Sequence, residues 1–152
     1  MELLNIKQAL FFQCKVYVQQ RIATAKQAME AAQESANSES KSSAGDKYET
    51  GRAMAQLERD RHAQLLAEAI KLEQELIRLN TDKHYDTVQP GSLVITNRGT
   101  FFISISAGKL VVEGADYFAI SPASPIGAVL AGKKLGESAI FNKISYQVLN
   151  VL

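Results

Sequence analysis

The sequence predicts an α+β protein with an N-terminal antiparallel helical hairpin, or coiled coil, and a C-terminal antiparallel sheet that carries one short helix. Proline and glycine supply the first observation, because no proline precedes Pro90 and seven of the nine glycines follow it. Both residues disfavour helix interiors, so long helices fit only the first half. The second observation is the apolar period, which changes from helical spacing to strand-like alternation after Thr87.

The first helix is predicted from Met1 to about Asn37. Its apolar residues form one series, and the later steps alternate between three and four residues, as in the seam of a coiled coil. The series consists of Leu3, Ile6, Leu10, Cys14, Ile22, Ala25, Met29, Ala32 and Ala36. One face of this helix is therefore expected to be buried.

The second helix is predicted from Asp46 to about Asn80. Its apolar stripe consists of Met54, Leu57, Leu65, Ala69, Leu72, Leu76 and Leu79, and charged residues occupy the opposite face. The tip loop between the helices, placed at residues 38–49, is short enough to fold them into an antiparallel hairpin. Arms of about 34 residues would extend roughly 50 Å at 1.5 Å per residue.

The segment after Thr87 is predicted to form the sheet, because β-branched and aromatic residues alternate there between glycine-containing turns. The predicted strands span residues 93–96, 100–106, 109–113, 117–120, 138–142 and 144–151. Ser124 as N-cap, Pro125 at the first helical position and Gly132 past the end define a short helix between the fourth and fifth strands. We expect two domains, residues 1–82 and 85–152.

Bulk composition is that of an ordinary globular chain. The net charge of +1 gives no global attraction to nucleic acid or to an anionic membrane. The single cysteine, Cys14, excludes an intramolecular disulfide and fits a reducing compartment. No apolar run approaches the roughly 18 residues of a membrane span. We therefore expect a cytoplasmic protein that does not contact membranes.

Two carboxylates mark the start of the second helix. Asp46 and Glu49 are three residues apart, so they project to similar sides. In one interpretation Asp46 caps the helix and Glu49 occupies the capping-box position, which the spacing alone favours. In the other, the pair holds a divalent cation whose remaining ligands come from a partner, because two carboxylates alone make a weak Mg²⁺ site.

Two other patterns do not support a phosphate-binding or zinc site. The stretch from Gly127 to Lys134 nearly matches the phosphate-binding pattern G-x-x-x-x-G-K-[ST], but Lys134 replaces the Ser or Thr, and the Gly-Lys pair closes a predicted helix where a phosphate loop opens one. His62 and His84 have no Cys or second His at ligand spacing, so no zinc site is expected. We predict no intrinsic cofactor.

A proline-rich motif in the second half carries a resemblance to a known family. It runs from Ile120 to Gly127 (ISPASPIG) and continues from Gly132 to Glu137 (GKKLGE), while Pro90 to Val94 (PGSLV) precedes it. This arrangement resembles the FKBP-like C-terminal domain of the bacterial Gre family of transcript-cleavage elongation factors, and the hairpin matches in length and position. The resemblance implies a domain that docks on the polymerase rim, with Lys133 and Lys134 as exposed candidates for the contact.

The tip segment from Gly45 to Glu49 (GDKYE) is similar to the acidic tip motif of that family. The resemblance implies that Asp46 and Glu49 match two acidic residues that reach the active site of bacterial RNA polymerase through its secondary channel. There they would help to hold the second Mg²⁺ and its attacking water, so that the polymerase's own two-metal chemistry cleaves backtracked RNA. The resemblance implies that the protein is not itself an enzyme but a monomeric, DNA-binding transcription elongation factor. It would bind the polymerase elongation complex, share its Mg²⁺ and contact nascent RNA indirectly.

The tip also departs from that motif. Lys47 and Tyr48 replace Leu-Ser, and Thr50-Gly51-Arg52 replaces Asn-Ala-Glu. An alternative expectation is therefore a regulator that occupies the secondary channel without stimulating cleavage. The FKBP-like fold also suggests a peptidyl-prolyl isomerase, against which the absence of Trp argues. The helices alone would allow a plain oligomerising coiled coil.

Overall fold

The structure is a computed structural model that describes the backbone of residues 2–39 and 45–152 and the side chains of residues 2–38 and 49–152. Two long helices come first, α1 (Leu3–Glu39) and α2 (Gly45–Ile77). They are followed by β1 (Leu93–Thr96), β2 (Gly99–Ile103), β3 (Gly108–Val112), β4 (Ala115–Ile120), α3 (Pro125–Leu130), β5 (Ser138–Phe141) and β6 (Ile144–Val151). The predicted α+β class is confirmed.

The chain divides into two compact units. The sheet unit comprises Met1–Tyr17 and Gln74–Leu152, and the arm unit comprises Val18–Glu73. The sheet unit thus includes the start of α1 and the end of α2, while the arm unit contains the rest of both helices. The predicted domains, residues 1–82 and 85–152, concern independent folding and stay a prediction.

The sheet has the strand order β3-β4-β2-β1-β6-β5. Four neighbouring pairs are antiparallel, but β2 and β4 are parallel, with Phe101 opposite Phe118. The prediction of a wholly antiparallel sheet was therefore wrong at one pair. After β2 the chain reverses through residues 104–107 and forms β3, which is not the neighbour of β2 but lies at the edge of the sheet. The next strand, β4, then lies between β3 and β2. Periodicity and turn residues identify strands but not which strands become neighbours.

One face of the sheet packs against α3. Val94 of β1 lies opposite Phe101 of β2, and both belong to a buried cluster with Leu130 of α3. The cluster also contains Tyr85, Val88, Ile103, Ala139, Val148 and Val151. This cluster forms the apolar core on that side of the sheet.

The start of α1 covers the other face. Phe102 is fully buried and points away from α3, because side chains alternate along a strand. Sγ of Cys14 lies 3.8 Å from Oγ of Ser104, and Nε2 of Gln13 donates a 2.9 Å hydrogen bond to the carbonyl of Val111. The predicted apolar series of α1 is confirmed as the inward face, which is buried here at Ile6, Leu10 and Cys14.

The connection between α2 and β1 closes around a buried lysine. Lys7 of α1 is inaccessible to solvent, and its Nζ donates a 2.8 Å hydrogen bond to the carbonyl of Lys83. The same Nζ lies 4.9 Å from the centroid of the Tyr85 ring. Burial lowers the pKa of Lys7 below its ordinary 10.5, and the negative charge of Asp82 opposes that shift. Because a buried ammonium without partners is costly, the connection follows a path that supplies them.

Small residues bring α1 and α2 together in the arm unit. Val18, Ala25 and Ala36 of α1 and Ala69 of α2 are buried. A cavity of about 340 Å³ between the helices is lined mainly by alanine. Because alanine buries little apolar area, this part of the hairpin gains less hydrophobic stabilisation per residue than the sheet unit does.

The predicted stripe of α2 was wrong at Met54, Leu57 and Leu65, although Ala69 in the arm unit and Leu76 in the sheet unit are buried as expected. Met54 and Leu57 are 64% and 69% exposed, and Leu65 is also exposed. Ala55, one residue after Met54, lines the cavity in their place. The facing surface of α1 offers mostly alanine, so the helices meet through their small residues and the larger side chains of α2 remain outside.

Replacing Lys7 by methionine tests the buried cation. With its pKa lowered by burial, Lys7 binds fewer protons in the folded than in the unfolded protein over the range between its folded pKa and 10.5. The charge therefore reduces stability at neutral pH, and stability recovers as pH rises towards 10.5. We expect Lys7→Met to lose this recovery, so that the wild type gains on the variant in free energy of unfolding as pH rises, measured by urea unfolding.

Lys83→Met is the matched control. Its ammonium also lies near the Tyr85 ring, at 5.3 Å, but the residue is exposed. This variant should follow the wild-type pH dependence. A constant difference between Lys7→Met and wild type across the same range would contradict the assignment of the pH dependence to Lys7.

Candidate functional site

The predicted acidic pair lies at the start of α2. The backbone of α2 begins at Gly45, so Asp46 and Glu49 lie about one turn apart along it. Glu49 is exposed, whereas the side chain of Asp46 and residues 40–44, which belong to the predicted tip loop, lie outside the described part of the structure. The capping and metal-holding interpretations of the pair therefore both stay predictions.

Glu49 borders an open hollow on α2. The hollow has a volume of about 410 Å³ and is lined by Glu49, Arg52, Ala53 and Gln56. Arg52 follows Glu49 by three residues, so a guanidinium and a carboxylate share this turn of the helix. Within the described side chains, no group of three or more His, Cys, Asp or Glu residues could hold a metal ion. Glu49 could thus only complete a coordination sphere that other ligands supply.

His62, His84 and Cys14 each contact a neighbouring side chain. Nε2 of His62 lies 3.4 Å from a carboxylate oxygen of Glu58, and Nε2 of His84 lies 3.4 Å from Asp86. Burial raises the pKa of the Cys14 thiol from 9.0 to about 11, and the hydrogen bond with Ser104 opposes that shift. A thiol with so high a pKa is mostly protonated near neutral pH and is a poor nucleophile.

The proline-rich motif builds the start of α3. Oγ of Ser124 accepts a 3.2 Å hydrogen bond from the backbone N–H of Gly127 and donates one of 2.7 Å to the carbonyl of Ser121. Pro125 follows at the first helical position, where a missing N–H costs nothing. A Cβ at Gly127 would overlap the carbonyl oxygen of Ser121. The predicted cap, proline and short helix are confirmed.

The second part of the motif shapes the turn after α3. Gly132 has φ +77° and donates its N–H to the carbonyl of Val88, so the Gly-Lys pair closes the helix as predicted. Oε1 of Glu137 accepts a 2.8 Å hydrogen bond from the backbone N–H of Lys134. The side chain of Lys134 is exposed, but Lys133 is half-buried, which corrects the expectation that both lysines are exposed.

The sheet unit contains a cavity that the sequence did not predict. It has a volume of about 440 Å³, and its lining comes from the end of α2, the connection to β1, Ser104 after β2 and the loop before α3. No sequence motif marks it, because four separate segments meet there only in the folded chain. Its lining combines an aromatic ring, two prolines and charged residues, unlike the hollow beside Glu49 and the alanine-lined cavity of the arm unit.

No protein-family model matches the chain, and no curated protein matches it significantly. Among the described residues, no helix is both long enough and apolar enough to cross a membrane.

Gly127→Ala should destabilise the protein by roughly 3 kcal/mol, because the added methyl group forces apart the turn that starts α3. Urea unfolding measures the loss. Gly136→Ala is the control: Gly136 has φ +88°, but a Cβ there would meet nothing within 4 Å. That variant should lose only about 1–2 kcal/mol from backbone strain. An equal or smaller loss for Gly127→Ala would contradict the steric role of this glycine.

Proposed function

We propose that the chain is a transcription elongation factor of the Gre type, which binds bacterial RNA polymerase and inserts the α1–α2 tip into the secondary channel. The observation that carries the proposal is the order of parts in one chain: two helices of 37 and 33 residues, with Asp46 and Glu49 in the first turns of the second, and then the proline-rich motif that starts α3. Helices of this length extend about 50 Å at 1.5 Å per residue, which suits an arm that reaches a distant site.

An FKBP-like fold of the sheet unit belongs to this proposal. It is supported by a short helix packed across one face of a six-stranded, mostly antiparallel sheet. In the proposed complex this unit docks on the polymerase rim. Lys134 is the more suitable of the two motif lysines for such a contact, because its side chain is exposed while its backbone is held by Glu137.

Asp46 and Glu49 would take part in the chemistry as donors to a Mg²⁺ ion that the polymerase also holds. Carboxylate oxygens are the ligands that Mg²⁺ prefers, and two of them leave room for polymerase groups, phosphate and water. The bound ion would supply an activated water for hydrolysis of the RNA backbone. The exposure of Glu49 and its position one helical turn from Asp46 suit this role.

A second candidate function is a secondary-channel regulator without cleavage activity, and Arg52 favours it. Arg52 borders the same hollow as Glu49, one turn further along α2. A guanidinium near a carboxylate competes with a metal ion for its oxygens and adds repulsion to a divalent cation. Such a tip could fill the channel through its shape while holding Mg²⁺ poorly.

RNA shortening in a stalled elongation complex with purified bacterial polymerase and Mg²⁺ tests the proposal. The wild-type chain should accelerate shortening, and Asp46→Ala with Glu49→Ala should reduce the acceleration by at least about tenfold, since even outer partners of a metal site contribute that much. Glu68→Ala removes an exposed carboxylate elsewhere on α2 and should behave as wild type.

Binding to the polymerase, measured in parallel with a fluorescently labelled chain, separates the two candidates. Binding without shortening would favour the regulator, and Arg52→Ala should then restore part of the cleavage if the guanidinium is what opposes the metal. Absence of binding would overturn both functions.

A further inference from the structure

The cavity of the sheet unit has the size and lining of a small-molecule site. Its volume of about 440 Å³ falls within the range of roughly 300–1,000 Å³ that is usual for such sites. Leu79, Tyr85, Pro90 and Pro122 supply apolar and aromatic surface. Ligand sites are commonly built in this way, with mostly apolar walls and a few polar groups that fix the orientation of the ligand.

Ser104 is a lining residue of the cavity, and its hydroxyl has only weak partners. Ser104 is only 5% exposed, and its Oγ has two long contacts, 3.4 Å to the carbonyl of Phe102 and 3.8 Å to Sγ of Cys14. Both are at the weak end of hydrogen bonding. A buried hydroxyl usually forms at least one good hydrogen bond, so Ser104 retains capacity for a polar atom placed in the cavity.

Arg78 and Glu75 are the charged residues of the cavity lining. Arg78 borders the cavity and is exposed, and among the described residues it has no hydrogen bond or ion pair. Glu75 also lines the cavity one turn earlier on α2, so the local charge is balanced overall. A guanidinium offers several N–H donors in a fixed fork that matches an anionic group, whereas a lone carboxylate provides no donor.

We propose that this cavity binds a small organic anion with a flat apolar body, such as an aromatic carboxylate or sulfonate. The ring system lies against Tyr85, Leu79 and Pro122, the anionic group pairs with Arg78, and a polar atom of the ligand contacts the Ser104 hydroxyl. The site lies within the sheet unit and is independent of the acidic tip and of the proposed role in transcription.

Fluorescence titration of the full chain with 8-anilino-1-naphthalenesulfonate tests the proposal, because this probe combines fused aromatic rings, an anilino N–H and a sulfonate. We expect saturable binding of one molecule per chain with a Kd of about 10 µM, equivalent to roughly −7 kcal/mol. Ala123→Trp, which fills the cavity from the loop before α3, should weaken binding at least tenfold.

Two further variants resolve the polar contacts. Arg78→Gln should weaken binding of the probe about tenfold but leave binding of its neutral analogue N-phenyl-1-naphthylamine unchanged. Ser104→Ala should weaken binding of the probe about fivefold, as expected for the loss of one hydrogen bond. Far-UV circular dichroism and urea unfolding confirm that each variant is folded.

Matched controls address other surfaces. Arg98→Gln removes an exposed arginine between β1 and β2, and Leu57→Ser removes an exposed apolar side chain of α2, so both should bind the probe as wild type does. Absence of saturable binding, full affinity in Ala123→Trp, or loss of binding only in Leu57→Ser would overturn the proposal. Unchanged affinity in Arg78→Gln would overturn its anionic selectivity, and unchanged affinity in Ser104→Ala would overturn the role of the hydroxyl.

Discussion

Among the residues that the structure describes, Lys7 is the only charged residue that is buried, and its ammonium constrains the path of the sheet unit. A charge removed from water must find hydrogen-bond and electrostatic partners, and Lys7 finds them in the carbonyl of Lys83, the face of Tyr85 and the nearby carboxylate of Asp82. All three lie in the connection between α2 and β1. The chain there has little freedom, because any other path would leave the ammonium without these partners.

The contact between Lys7 and Tyr85 also fixes how the chain enters the sheet. The Tyr85 hydroxyl donates a 3.0 Å hydrogen bond to the carbonyl of Asn80, and its ring joins the core that packs under α3. Gly91 sits against both groups: it has φ +94°, and a Cβ there would lie 3.2 Å from the Asn80 oxygen and 3.2 Å from the Tyr85 hydroxyl. The glycine of the Pro-Gly pair before β1 is therefore required by the packing around Tyr85, which in turn faces the buried cation.

Sequence patterns predicted what local rules control. The bounds of β1 and β6, the cap of α3 and the inward face of α1 follow from side-chain alternation, capping chemistry and helical periodicity, and the structure agrees. The exposed Met54 and Leu57 and the parallel β2–β4 pair depend on which surfaces meet in the fold, which no local pattern contains. Lys7 was missed for a similar reason, because a lysine between apolar residues of a helix is normally solvated at its charged end.

The same distinction separates the two parts of the candidate function. Much of the resemblance to the Gre family comes from Ser124, Pro125 and Gly127. These residues set the backbone conformation at the start of α3 and are not among the candidate metal-binding residues. They bear on the architecture of the sheet unit and, through it, on docking in the proposed complex. Chemistry at the tip would depend instead on the charges of one helical turn, where Arg52 follows Glu49. A factor that stimulates cleavage and a regulator that only fills the polymerase channel could therefore have the same sheet unit. They would differ in the charge of a single side chain at the tip.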